Sequence, residues 1–144
     1  MKIVINKCHG GFSPSMKAYH EYYKLKGKEV YFYKQTKYKH SGGEEEYTKI
    51  DIYDNIDDAF FACTNKDLGK TTNKIPNDNY IYLSSSENEL RTDKDFIEVV
   101  EELGDEANTN VSSLAVVEIP DDIEWEIDEY DGMESVEEKH RSWG

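Results

Sequence analysis

Two arginines, Arg91 and Arg141, stand among fifteen lysines. The chain is rich in Lys, Asn, Ile and Tyr, a composition that suggests an AT-rich genome in which lysine is the default cation. An arginine kept against that bias is a candidate for what lysine cannot do, which is to grip phosphate or carboxylate with two parallel hydrogen bonds or to stack on a ring. Pairing with a neighbouring acid is the plainer alternative. Arg141 lies within Lys139-His140-Arg141-Ser142-Trp143, where a guanidinium, an imidazole and an indole offer phosphate pairing and base stacking together. Cations gathered at a helix C-terminus would look the same. Arg91 is expected just before a helix, near N–H groups that attract anions. If both arginines converge, the site suits a compact diphosphate or a cyclic nucleotide.

Gly10-Gly11-Phe12 follows the first apolar run. Two glycines there let backbone N–H groups approach a phosphate at a helix start. The Gly-Lys-Ser/Thr ending of a Walker A loop and the third glycine of a dinucleotide fingerprint are both missing, and a tight turn is the simpler reading. Cys8, His9 and Cys63 could join His20 or His140 around a metal, but no C-x-x-C or H-x-x-x-H spacing supports it, so no metal site is expected. Cys8 beside a histidine could act as a nucleophile, with a buried small thiol as the stronger expectation. Glu124, Glu126 and Asp128 project from one face of a strand, where acid–base work competes with the default of a solvated face. No hydrolase motif appears. No catalytic residue and no cofactor are assigned, and the chain is expected not to be an enzyme.

The elements that must position these groups follow from periodicity. Ile3-Val4-Ile5 reads as a strand, and Ser13-Pro14 as a helix start. Met16, Tyr19, Tyr22 and Tyr23 form one helix face, closed by Gly27. Val30 to Tyr33, Tyr47 to Asp54 and Tyr80 to Leu83 read as strands, with loops over Lys34–Glu46 and Lys66–Asn79. Ile56 to Cys63 is ambiguous between a short helix and a buried segment. Thr92 with Asp95 resembles a capping box, followed by Phe96, Ile97, Val99, Val100 and Leu103 at helical spacing and a stop at Gly104. Leu114 to Ile119 and Ile123 to Asp128 read as strands, Asp131-Gly132 as a turn, and Glu134 to Trp143 as a final helix. The fold class is α+β, with a mostly antiparallel sheet and about three helices.

Length sets one domain over residues 1–144. The formal net charge is −14, and it is unevenly spread: the first fifty residues carry +5, the next fifty −6 and the last forty-four −13. An acidic chain is a poor conventional nucleic-acid binder, since that affinity comes from neutralising phosphates. Residues 121–138 hold a stripe of carboxylates that could imitate a phosphate backbone and occupy a DNA- or RNA-binding protein. Eleven tyrosines argue against a disordered acidic tail. No apolar run reaches the ~18 residues of a membrane span, and two cysteines are too few for a disulfide framework. A reducing cytosol is the expected compartment.

Met1-Lys2-Ile3-Val4-Ile5-Asn6-Lys7-Cys8 with Gly10-Gly11-Phe12 resembles the opening of a family of small bacteriophage-encoded proteins. The resemblance resumes at Arg91-Thr92, Glu98 to Gly104, Val117 to Asp122, Tyr130-Asp131-Gly132 and His140-Arg141-Ser142-Trp143. Residues 34–89 do not share it and read as a divergent or inserted middle segment. The pattern is similar to the phage Thoeris anti-defence sponge family, whose members are oligomers that sequester a cyclic ADP-ribose isomer without cleaving it. The resemblance implies a homo-oligomer in the cytoplasm of the infected host, with Arg91 and Arg141 clamping phosphates. His140, Trp143, Gly10, Gly11, Phe12, Val116 and Glu126 complete the implied ligand-binding set. Leu114, Val116 and Glu126 occupy the base-contacting region without the aromatic or amide groups such contacts call for. As ligand clamps, both arginines should be removable without loss of folding. The alternative is an acidic inhibitor that mimics nucleic acid through residues 121–138.

Overall fold

The computed structural model describes residues 1–38, 44–54, 58–83 and 87–139. The apolar start Ile3-Val4-Ile5 forms β1 (Lys2–Asn6) and is buried. Ser15 caps α1 (Met16–Leu25): its side chain accepts from the Ala18 amide, one of the donors that the first helical turn leaves unpaired. The cap is thus Ser15 rather than Ser13, because Pro14 is engaged in a bridge to Asn108.

The middle of the chain builds one sheet from β2 (Tyr31–Lys37), β3 (Glu46–Lys49), β4 (Ala62–Thr64), β5 (Thr71–Thr72) and β6 (Tyr80–Ile81). Its order is β5-β3-β2-β4-β6, and every neighbouring pair is antiparallel. β2 runs beyond the expected end at Tyr33, since Lys34 and Gln35 pair with Thr48 and Tyr47. Phe32 and Cys63, paired across the sheet, are buried with Tyr19 of α1, while Phe61 packs edge-on against Phe32 and Tyr19.

The chain then returns through α2 (Glu87–Thr92) and α3 (Lys94–Leu103), separated only by Asp93. Asp93, not Thr92, caps α3, its Oδ1 accepting from the Asp95 amide at 2.9 Å. Gly104 ends α3 at φ 57°, as its position predicts. Phe96, Ile97, Val99 and Val100 bury the apolar face of this helix. β7 (Leu114–Glu118) pairs with β1, joining residues more than a hundred positions apart.

The C-terminal helix expected over Glu134 to Trp143 is not formed where the chain is described; Met133–Glu138 is a strand, β9, paired with β8 (Trp125–Tyr130). Asp131 and Gly132 both take positive φ, 51° and 87°, the geometry of a two-residue hairpin turn. That turn returns the chain onto the amphipathic β8, and Val136 falls opposite Ile127. Met133 and Val136, three apart, share a helical face but fall on opposite faces of the strand, which is why spacing alone misleads. His140 to Gly144 lie outside the described residues. With three helices and antiparallel sheets among the described residues, the molecule is a single α+β domain.

Candidate functional site

β1 has two edges. β7 occupies one, with bonds such as Lys7 N–H to the Ser113 carbonyl and Ile119 N–H to the Met1 carbonyl. On the other, the Val4 carbonyl and the Asn6 amide point away from β7, and Arg91 and Glu134 meet them. Arg91 Nη1 donates to Val4 O at 3.1 Å, and the Asn6 amide donates to Glu134 Oε1 at 2.7 Å. The two side chains close on each other in a fork, Nη1 to Oε1 at 2.8 Å and Nη2 to Oε2 at 2.7 Å. The pair is 4% and 7% exposed, and the guanidinium lies 4.0 Å from the centroid of the Phe12 ring. An ion pair therefore does what a third strand would do along β1. A lysine could not: it lacks the planar fork and the flat face that rests on Phe12.

Arg91 thus sits in the last turn of α2, three residues ahead of α3 as expected, but its guanidinium turns to Glu134 and Val4 rather than to an anion at the α3 start. Its fork is filled by a carboxylate forty-three residues away. The expectation that Arg91 can be removed without loss of folding gives way, because its removal would strand Glu134 in the interior.

The glycine loop is positioned by close packing. A Cβ on Gly10 would stand 1.7 Å from the Val111 carbonyl oxygen, and one on Gly132 would stand 2.3 Å from that of His9. Residues 8–11 are held between the 109–113 loop and the β8–β9 turn, with Asn6 Nδ2 donating to the carbonyls of Cys8 and Gly132. The start of α1 is roofed by the 3-10 turn Gly104–Ala107: Ser15 N–H donates to Ala107 O and Ser15 Oγ to Glu106 O. Within this loop, Gly11, at φ 137°, has open space around it. Cys8 is half-buried, its Sγ 3.2 Å from Val111 O. Burial pushes the Cys63 thiol up to about 12, which leaves it a protonated, unreactive core group. Among the described residues, no three His, Cys, Asp or Glu side chains are placed to hold a metal ion.

Val116 lies opposite Val4 and packs against the core. Glu126 is exposed on the hairpin, at a groove of about 690 Å3 between α2 and β8. Asn88, Glu89 and Thr92 form one wall, Trp125 and Ile127 the other, and Lys139 also lines it. The structure brings Phe12 to Arg91 and Glu126 to Lys139; Val116 joins neither group, and His140, Arg141 and Trp143 lie outside the described residues. Trp125, Thr92 and Asn88 were not among the expected site residues. Trp125 carried a signal, an aromatic at the start of an alternating strand, while Asn88 and Thr92 gained their place only by docking of the hairpin. On the outer face of the hairpin, Glu126 stands directly opposite Glu137, with Asp128 opposite Ser135 and Tyr130 opposite Met133.

Comparison with protein families, curated proteins and solved structures gives no match to this chain. Among the described residues, no helix is long and apolar enough to cross a membrane.

Proposed function

We propose that the protein is a phage anti-defence binding protein that captures a compact cyclic nucleotide-type signal, a cyclic ADP-ribose isomer, at the α2–β8 groove without cleaving it. The observation that carries this reading is the meeting of an indole, an amide, a hydroxyl and an ammonium in one groove, immediately before His140-Arg141-Ser142-Trp143 in the chain. Trp125 offers the base a flat wall. Lys139 and Arg141 supply charge for the diphosphate. Glu89 would repel phosphate, so it is assigned to the ribose hydroxyls, from which a carboxylate accepts well, while Glu126 stands at the rim with its side chain on the outer face of the hairpin. Arg91 acts at one remove, as a positioning residue that fixes β9 against β1 and α2. The protein works as a homo-oligomer in the cytoplasm of the infected bacterium.

Purified protein incubated with cyclic ADP-ribose isomers and cyclic di- and trinucleotides, then filtered, should deplete one of them, and heating should release it intact. Trp125→Ala and Arg141→Ala should each abolish depletion while the protein stays folded. No depletion of any member overturns the reading, and depletion without intact release means turnover.

The opposed Glu126 and Glu137, with Glu124 and Asp128 on the same outer face, favour a second reading: an acidic face that occupies a basic nucleic-acid-binding protein. Binding to such a partner would fall steeply with salt, and Glu126→Gln with Glu137→Gln would weaken it.

A further inference from the structure

The five-stranded sheet carries a second concavity, far in sequence from the groove. The pairs Gln35–Tyr47, Tyr33–Ala62 and Thr64–Tyr80 place these residues on one face of the sheet, opposite the buried face of Phe32 and Cys63. Ala62 and Gln35 floor a cleft of about 290 Å3 whose walls are Tyr47, Tyr80, Tyr38 and Phe60. Ala62 gives the cleft depth because a larger residue there would fill it. Tyr80 is braced against the Tyr82 ring at 4.6 Å. Phe60 is 79% exposed and Tyr38 47%, a concentration of uncovered aromatic surface that folding alone does not require.

We propose that this cleft binds a proline-rich peptide segment in the polyproline II conformation. The ring walls suit pyrrolidine rings, which pack flat against aromatic faces. The polar lining offers donors to a bound segment: the Tyr47 and Tyr80 phenols and the second N–H of the Gln35 amide, whose first donates to Lys37 O, while the Tyr33 phenol of the same lining is tied to Gly69 and Leu68. The Tyr47 hydroxyl, like any phenol, carries its proton at neutral pH and can donate it. A polyproline II strand makes no internal hydrogen bonds and presents carbonyl acceptors, while proline has no N–H to satisfy. Lys34 is neutralised by Asp58 at 2.9 Å, so the lining has no unmatched charge to select a phosphate. A saccharide also stacks on aromatic rings, and the titration below tells the two apart. Because such a peptide is ordered before it binds, a cleft this small suffices.

Fluorescein-labelled decaproline, titrated with the full-length protein and followed by anisotropy, tests the proposal. Saturable binding is expected, weakened at least tenfold by Phe60→Ala and by Tyr38→Ala, with circular dichroism and thermal midpoint unchanged because both side chains are largely exposed. Trp125→Ala should leave decaproline binding intact, which separates this cleft from the α2–β8 groove. Absence of saturable binding, binding that survives both substitutions, or binding of maltohexaose in place of decaproline would each overturn it.

Discussion

The part of the molecule built from the two ends of the chain and the part built from its middle are held together by different physics. In the first, β1 is paired with β7 on one side and with the Arg91–Glu134 fork on the other, and Asn6, fully buried, bonds to Cys8, Gly132, Glu134 and Ser113. Gly10 and Gly132 allow backbones to approach where no Cβ fits. In the middle sheet, strands of two to seven residues are bordered by exposed ion pairs: Lys34 with Asp58, Lys37 with Glu46, and Lys49 with Asp67. Its most buried tie is the Tyr33 phenol, which donates to Gly69 O at 2.8 Å and accepts from Leu68 N–H at 2.9 Å, with shorter-range bonds such as Asn79 Nδ2 to Asn65 Oδ1 beside it. Directional bonds between distant residues make the first part intolerant of substitution. Packing and screened charge make the second more forgiving, consistent with its having room to carry a binding surface of its own.

The sharpest way to break this contrast is at the buried pair. Arg91→Ala or Glu134→Ala should cost about 3–5 kcal/mol, because each leaves an uncompensated charge inside. Arg91→Lys should rescue little of it, while the double change Arg91→Met with Glu134→Leu should recover part; urea unfolding of the four variants decides it. If Arg91→Ala melts like wild type, the two regions do not differ as argued.

Alkaline titration ranks next and touches both regions. The Cys63 thiol lies in the middle sheet, and burial raises it from 9.0 to about 12. The Tyr22 phenol lies on α1, and burial together with its bond to Asp93 raises it from 10.0 to about 12. Both groups stay neutral in the folded chain and ionise in the unfolded one, so each contributes stability below its unfolded pKa that is lost as pH climbs to 12. Urea midpoints should begin to fall near pH 9, and near pH 10 once Cys63→Ala removes the thiol. An unchanged onset in that variant would count against the assignment.

Tyr33→Phe should cost about 1–2 kcal/mol, by removing two hydrogen bonds and leaving the Gly69 carbonyl and the Leu68 amide unmet. Smallest is Lys34→Ala, expected to change stability by under about 1 kcal/mol, since the Lys34–Asp58 pair is exposed on the lysine side. A larger loss there would mean that the middle sheet depends on its surface charges after all.

Legibility followed the range of the interaction. α1 and α3 were readable because their apolar positions and stops are local: Gly104 ends α3 where expected. The Asp131-Gly132 turn is readable too, but not the strand after it. Met133 and Val136 are three apart, which suits a helix face and puts them on opposite faces of a strand, and the strand wins because β8 is there to pair with. Of the candidate site, Phe12 does meet Arg91, but the sequence held nothing to say that Glu134 would fill the arginine's fork. A carboxylate forty-three residues away leaves no mark in any local window.

By itself the sequence determined the α+β class, the positions of most elements, the two-faced polarity of β8 and the presence of two arginines that a lysine-rich chain keeps for a reason. Only the tertiary structure decided what that reason is for Arg91. A guanidinium is equally complementary to phosphate and to carboxylate, so residue type cannot choose between ligand and scaffold. The choice was made when β9 docked beside β1, placing Glu134 within 2.8 Å and enclosing both charges away from water.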